Sequence, residues 1–239
     1  MGRVVVAGSI NMDLVAIADR HPHIGETVYG QALKHFPGGK GANQAVAAAK
    51  LGAPTILIGR VGRDPFGSQL REFIGGEGVD LTYVKESETS QTGTAVITLA
   101  NADNSIVVIP GANAEVSTED ISAVALTAGD LAVCQFEIPL PTVLAFFQRA
   151  CAAGATTLLN PAPARAISAD LFELVDILVL NETELGLLAK VDLDSGADEA
   201  QIGKAVQSLQ ARPDQTICVT LGARGVLAMT GEETMRVPG

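Results

Sequence analysis

Six short apolar runs punctuate the chain: Val4 to Ile10, Thr55 to Val61, Leu131 to Phe136, Thr156 to Leu159, Ile177 to Leu180 and Thr216 to Leu221. They show little polar alternation, as strands buried on both faces of a parallel sheet do. Between them lie segments with helical periodicity and helix punctuation. Ala42 to Leu51 is alanine-rich and stops at Gly52. Pro65 to Ile74 follows an Asp64 cap and stops at Gly75 and Gly76. Thr118 to Leu126 follows a cap at Ser117 or Thr118, and Leu140 to Ala153 opens with Pro141 and ends at Gly154. Strands alternating with helices of about 10–15 residues predict an α/β fold, a doubly wound and mostly parallel sheet flanked by helices.

Two segments break this rhythm. Residues 14–36 and 92–110 alternate apolar and polar side chains with no helix between them. The second reads as a hairpin, Thr92 to Leu99 turning at Asn101–Asn104 and returning through Ser105 to Ile109. Two sequence-distant hairpins can pair into a small β-sheet. The pattern leaves open whether such a sheet covers an edge or acts as a lid.

Composition adds limits. The 239 residues suit one large domain with room for a small appendage. A hydrophobic content of 47% against 18% charged residues supplies a core, the opposite of a disordered chain. The net charge of −11 argues against nucleic acid as a partner. Between Lys85 and Arg149 there is no basic residue, so any phosphate must be held by backbone N–H groups, a bound cation and few basic side chains. Cys134, Cys151 and Cys218 lie in apolar stretches without a Cys-x-x-Cys, and read as buried thiols of a reducing cytosol. His21 and His23 flank a proline and read as surface loop residues, with no third metal ligand at a usable spacing. The first residues lack the pattern of a signal peptide, and no apolar run approaches the ~20 residues of a spanning helix. A cytoplasmic protein with no membrane partner is expected.

Four motifs carry chemistry. Asn11 and Asp13 follow the first strand, where open α/β sheets bind ligands. An amide and a carboxylate two residues apart suit a polyhydroxyl ligand, although an Asx turn closing the strand would use the same residues. Pro37-Gly38-Gly39-Lys40-Gly41-Ala42-Asn43 runs into the alanine-rich helix and offers the N–H groups of a helix start as donors. It is no Walker A loop, because Gly41 follows Lys40. Asn181-Glu182-Thr183-Glu184 makes a capping box after its strand, and Glu184 could organise Mg²⁺ through water. Thr220-Leu221-Gly222-Ala223-Arg224-Gly225 offers a hydroxyl, a turn and a guanidinium for a nucleotide's phosphates.

In this order the motifs resemble the ribokinase-like branch of the phosphofructokinase-B-type carbohydrate kinases. Gly25-Glu26-Thr27-Val28, Gly111-Ala112-Asn113, Gln135-Phe136-Glu137 and Asn160-Pro161-Ala162-Pro163-Ala164 extend the likeness over essentially the whole chain. The resemblance implies a ribokinase-like fold and ATP-dependent phosphorylation of D-ribose at its 5-hydroxyl. It implies that Asn11, Asp13, Gly38, Gly39, Lys40, Asn43 and Glu137 hold the pentose. Asn181 and Thr220, Leu221, Gly222, Ala223, Arg224 and Gly225 would face ATP, with Glu184 near Mg²⁺. The β-segments at about 14–36 and 92–110 would be a lid that often forms a homodimer contact. Activation by a monovalent cation such as K⁺ is common in the family.

One departure stands out. Family members carry a Gly-Ala-Gly-Asp segment whose aspartate takes the proton of the sugar hydroxyl, and whose helix-start N–H groups stabilise the transferring phosphoryl group. The near match Thr127-Ala128-Gly129-Asp130 precedes a strand and reads as a turn after a helix. The expectation is therefore an incomplete form of a longer kinase, inactive alone, with its catalytic base beyond Gly239. The alternative is a sugar-binding or regulatory homologue without turnover. A nicotinamide enzyme is disfavoured because no Gly-x-Gly-x-x-Gly follows the first strand.

Overall fold

The computed structural model describes residues 2–101, 103–193 and 196–239. The chain forms two compact units: an N-terminal one, Val6–Val124 with Glu137–Pro139, and a C-terminal one, Met1–Val5, Ala125–Phe136 and Leu140–Gly239.

The N-terminal unit takes the end of β1 (Val4–Ala7), then β2 (Asn11–Ala18), β3 (Gly30–Gly38), α1 (Lys40–Lys50), β4 (Thr55–Gly62) and α2 (Pro65–Gly76). It continues with β5 (Val79–Ser87), β6 (Gly93–Ala100), β7 (Asp103–Ile109), a 3-10 turn at Gly111–Glu115 and α3 (Thr118–Ser122). β1, β4 and β5 are neighbours in that order, and β4 pairs with β5 in parallel. The two predicted hairpins form a separate four-stranded sheet, β3-β2-β6-β7. Each hairpin is antiparallel, and a parallel β2–β6 ladder joins them, from Asn11 opposite Gly93 to Ile17 opposite Leu99. Within the predicted turn, Ala102 lies outside the described residues.

The C-terminal unit contains β8 (Leu131–Gln135), α4 (Leu140–Ala152), β9 (Thr156–Asn160), α5 (Ala169–Phe172), β10 (Ile177–Asn181) and α6 (Glu182–Ala189). α7 (Glu199–Leu209), β11 (Thr216–Thr220), β12 (Val226–Thr230) and β13 (Glu233–Val237) complete it. The order is β13-β12-β11-β10-β9-β8-β1. β8 to β11 are parallel neighbours, as βαβ crossovers require, whereas β11, β12 and β13 form an antiparallel edge. α4 buries Val143, Phe146 and Phe147 completely, at roughly 1.5–3 kcal/mol each. The predicted α/β class, with its mostly parallel sheet flanked by helices and a small extra sheet, is the observed one.

Several boundaries differ from expectation for local reasons. The apolar run Val4 to Ile10 is buried throughout its later part, yet β1 ends at Ala7. Gly8 N–H still bonds Ile58 O, after which Ser9 and Ile10 leave the ladder to meet α1 and Asn113. The helix expected to Leu126 stops at Ser122, whose hydroxyl turns back onto Glu119 O in competition with the helix ladder. Of the three thiols only Cys134 is buried; Cys151 is exposed, its Sγ donating to Leu174 O at 3.6 Å, so burial of all three was a misreading. Asp130 behaves as predicted for a turn: it accepts from Arg3 N–H and the Arg3 guanidinium, which hold its carboxyl far below the ordinary range. Among the described residues no helix is long and apolar enough to cross a membrane.

Candidate functional site

The pentose residues implied by the resemblance all fall in the N-terminal unit, around the entry to α1. Asn11 opens β2 and is buried, with Asp13 two residues along on the same face and half-buried. β3 returns antiparallel and sets Gly38 opposite Asn11. A Cβ on Gly38 would lie 2.4 Å from Asp13 Oδ2, so only glycine leaves the carboxylate its seat. Gly39 follows at φ +90°, a conformation that favours glycine, and turns the chain into α1.

The helix start then closes on itself. Lys40 N–H donates to Glu137 Oε2 at 3.1 Å, Gly41 N–H to Ser9 Oγ at 3.3 Å and Ala42 N–H to Ser9 O at 2.9 Å. The Ser9 hydroxyl in turn donates to Glu137 Oε2 at 2.5 Å. The expectation that these first N–H groups are ready donors for a ligand is therefore corrected: Ser9 and Glu137 already cap them, as buried helix starts require. What the entry presents instead is side chains. They are the Asn11 amide, the Asp13 carboxylate, the remaining Glu137 oxygen, the exposed Asn43 and the half-buried Lys40. Burial, and next the Glu137 charge, raise the Asp13 carboxyl above its ordinary value of 3.8.

The nucleotide residues implied by the resemblance all fall in the C-terminal unit, at the ends of β10 and β11. Asn181 Oδ1 accepts from Glu184 N–H at 2.8 Å, and Glu184 Oε2 accepts from Asn181 N–H at 2.9 Å, the reciprocal capping box read from sequence. Each keeps one polar group for other use, Asn181 Nδ2 and Glu184 Oε1. Thr220 is exposed, with its hydroxyl 3.4 Å from Leu180 O. Leu221 is buried, its N–H bonding Gly225 O across a 3-10 turn at Gly222–Arg224. Ala223 lies exposed within that turn.

Arg224 has partners within the unit. Its guanidinium, expected to face phosphates, pairs with the Glu182 carboxylate and donates to Ala197 O at 2.9 Å. Glu182 is the first residue of α6 and is only 8% exposed, so a buried charge there calls for a partner. Reading by motif missed Ser9, Asn113 and Glu182. Asn113 and Glu182 sit inside quoted motifs and Ser9 in the first apolar run, but their partners lie tens of residues away. Among the described residues no three His, Cys, Asp or Glu side chains cluster to hold a metal ion. A lone Glu184 oxygen suits Mg²⁺, which keeps waters and shares phosphate oxygens.

Residues 1–239 match the model of the pfkB family carbohydrate kinases. A ribokinase of Staphylococcus aureus is 35% identical over 239 residues, covering 98% of this chain and 78% of that protein. A deoxyribokinase of Salmonella typhi is 38% identical, covering 98% of this chain and 77% of that one. The solved structure of Arabidopsis thaliana ribokinase complexed with ribose and ATP superposes with a TM-score of 0.88 at 32% identity, covering all of this chain and 78% of that one. With matching motifs, matching fold and relatives of this identity along its length, the chain belongs to the pfkB family of carbohydrate kinases.

Proposed function

We propose that this protein is an ATP-dependent pentose kinase that phosphorylates D-ribose at the 5-hydroxyl. The observation that carries the reading is the amide–carboxylate pair Asn11 and Asp13, seated against Gly38 and closed below by Glu137 and Ser9. A sugar hydroxyl both donates and accepts, and this set offers both kinds of partner in a partly dry site. The likeness to a ribokinase that binds ribose and ATP supports it. Asn181 and Thr220–Gly225 would meet ATP, with Arg224 shared between Glu182 and the phosphates. Bound Mg²⁺ would screen phosphate charge, with Glu184 holding one of its waters. K⁺ activation and a cytoplasmic location complete the reading.

The four-stranded sheet serves in this reading as the lid, because β2 carries Asn11 and Asp13 at its start. Apolar side chains on both of its faces are left in water, Leu33, Phe36 and Ile106 to Ile109, which supports a homodimer contact there.

The 239-residue chain is proposed to bind sugar and nucleotide without turnover. Asp13 and Glu137 are occupied in binding and capping, and Asp130 is locked to Arg3. Phosphorus NMR of the chain with ATP, Mg²⁺ and D-ribose checks this: no ribose 5-phosphate is expected until a Gly-Ala-Gly-Asp segment is supplied in an extended chain. ADP release by the 239 residues alone would overturn the proposed inactivity. Ribose binding without turnover even in the extended chain would favour a non-catalytic sugar-binding homologue.

A further inference from the structure

Asn113 stands in the 3-10 turn after β7 and is 1% exposed. Its Oδ1 accepts from Ile10 N–H at 2.9 Å, and its Nδ2 donates to Ile10 O at 3.2 Å. A backbone N–H only donates and a carbonyl only accepts, so these two bonds fix which way the Asn113 amide faces. The second hydrogen of Nδ2 then points at Asn11, whose Oδ1 accepts it at 2.7 Å. The chain of constraint ends at Asn11: its oxygen is committed inward, and its NH₂ is the half left to meet a ligand. Gly93, the register partner of Asn11 on β6, leaves room for this amide–amide bond. A Cβ there would lie 2.2 Å from Asn113 Nδ2 and 2.3 Å from Asn11 Oδ1.

We propose that Asn113 is a positioning residue that fixes the Asn11 amide as a donor beside the Asp13 acceptor, and so sets the donor–acceptor order the sugar hydroxyls must match. This rests on the reading of Asn11 and Asp13 as pentose contacts. Asn113 touches no sugar itself. It acts through Asn11, with Gly93 as the space that permits the contact.

The test is a double-mutant cycle on D-ribose affinity, measured by calorimetry on the 239-residue chain. Asn113→Asp keeps the acceptor for Ile10 N–H but replaces the NH₂ by oxygen, so Asn11 must turn over to donate to it and shows its own oxygen to the sugar. Affinity for D-ribose is expected to fall roughly tenfold to a hundredfold, with ADP affinity unchanged. In an Asn11→Ala background the same substitution is expected to change ribose affinity less than about twofold, because the residue it acts through is gone. Full additivity of the two substitutions would overturn the proposal. Gly93→Ala supplies a second variant that leaves Asn113 in place, and it is expected to weaken ribose binding in the same direction; unchanged affinity there would also overturn it. If the wild-type chain binds no pentose, the functional reading fails, and the positioning is read without sugar. Both side-chain NH₂ protons of Asn113 are then expected to exchange slowly with D₂O, one of them speeding up in Asn11→Ala. Fast exchange of both in the wild type would contradict it.

Discussion

The proposed sugar side and the proposed nucleotide side use the same device, a strand end close to a helix start, yet they satisfy it differently. At α1 the first N–H groups are closed by Ser9 and Glu137, and Asn11 is fixed by Asn113, a partner more than a hundred residues away in the chain. At α6 the cap is local, closed within Asn181 to Glu184. A local capping box forms wherever a first turn carries the right pair of residues, as α7 also does, and contributes about 1 kcal/mol, so it says little about a ligand. The non-local arrangement assigns each polar atom a partner and leaves a particular few unassigned. The difference teaches where recognition is built in advance: around Asn11, Asp13 and Gly38 more than around Asn181 and Glu184.

The strongest way to break this comparison is Gly38→Ala. The new Cβ displaces the Asp13 carboxylate, the end of a side chain and not backbone, so the fold should survive. D-ribose affinity is expected to fall about a hundredfold, near 3 kcal/mol for a charged hydrogen-bonding partner, with ADP affinity unchanged by calorimetry. Next comes Arg224→Ala, which strips Glu182 of its ion-pair partner. Denaturant titration should show a loss of about 1–3 kcal/mol, and Glu182→Gln in the same background should recover part of it. No loss would mean that the Arg224–Glu182 pair does not serve the fold. Asn181→Ala removes a local cap, and its expected cost is about 1 kcal/mol by the same titration, with ribose affinity untouched.

The smallest effect is on pH dependence, where two carboxyls of the N-terminal unit oppose each other. Burial, and then Glu137, raise the Asp13 carboxyl, so its contribution to stability is present below 3.8 and is lost as pH rises through its raised folded value. Burial alone would raise Asp120 too, but Arg60, Lys85 and the Ser117 N–H overcome it and hold it at about 2. Its contribution is present above 3.8 and is lost as pH falls through about 2. Asp13→Asn should therefore make the empty protein more stable near neutral pH, a result readable by thermal unfolding. A less stable variant would mean that Asp13 serves the fold before it serves a ligand.

Most of the central strands and helix starts were legible because a parallel sheet needs continuous apolar runs and helices need caps. β5 was not, because it is half-exposed, with Asp80, Lys85 and Glu86 interrupting its apolar positions. β13 was illegible for the same reason, every residue being exposed at the antiparallel edge. α7 was missed although Asp198 and Gln201 cap it in the same way as Asn181 and Glu184 cap α6. At the sites, motif spacing pointed to Asn11, Asp13 and Gly38. It could not show that Ser9 and Glu137 use up the helix donors, or that Glu182 engages Arg224. Those outcomes depend on partners that only the folded chain brings together.

The most direct test of the account is a calorimetric titration of D-ribose into the wild-type chain and into Asp13→Asn at neutral pH. One-to-one binding is expected in the wild type and a loss of about a hundredfold in the variant, whose amide can no longer serve as a charged acceptor, with ADP binding equal in both. Equal ribose affinity in the two proteins, or none in the wild type, would contradict the account.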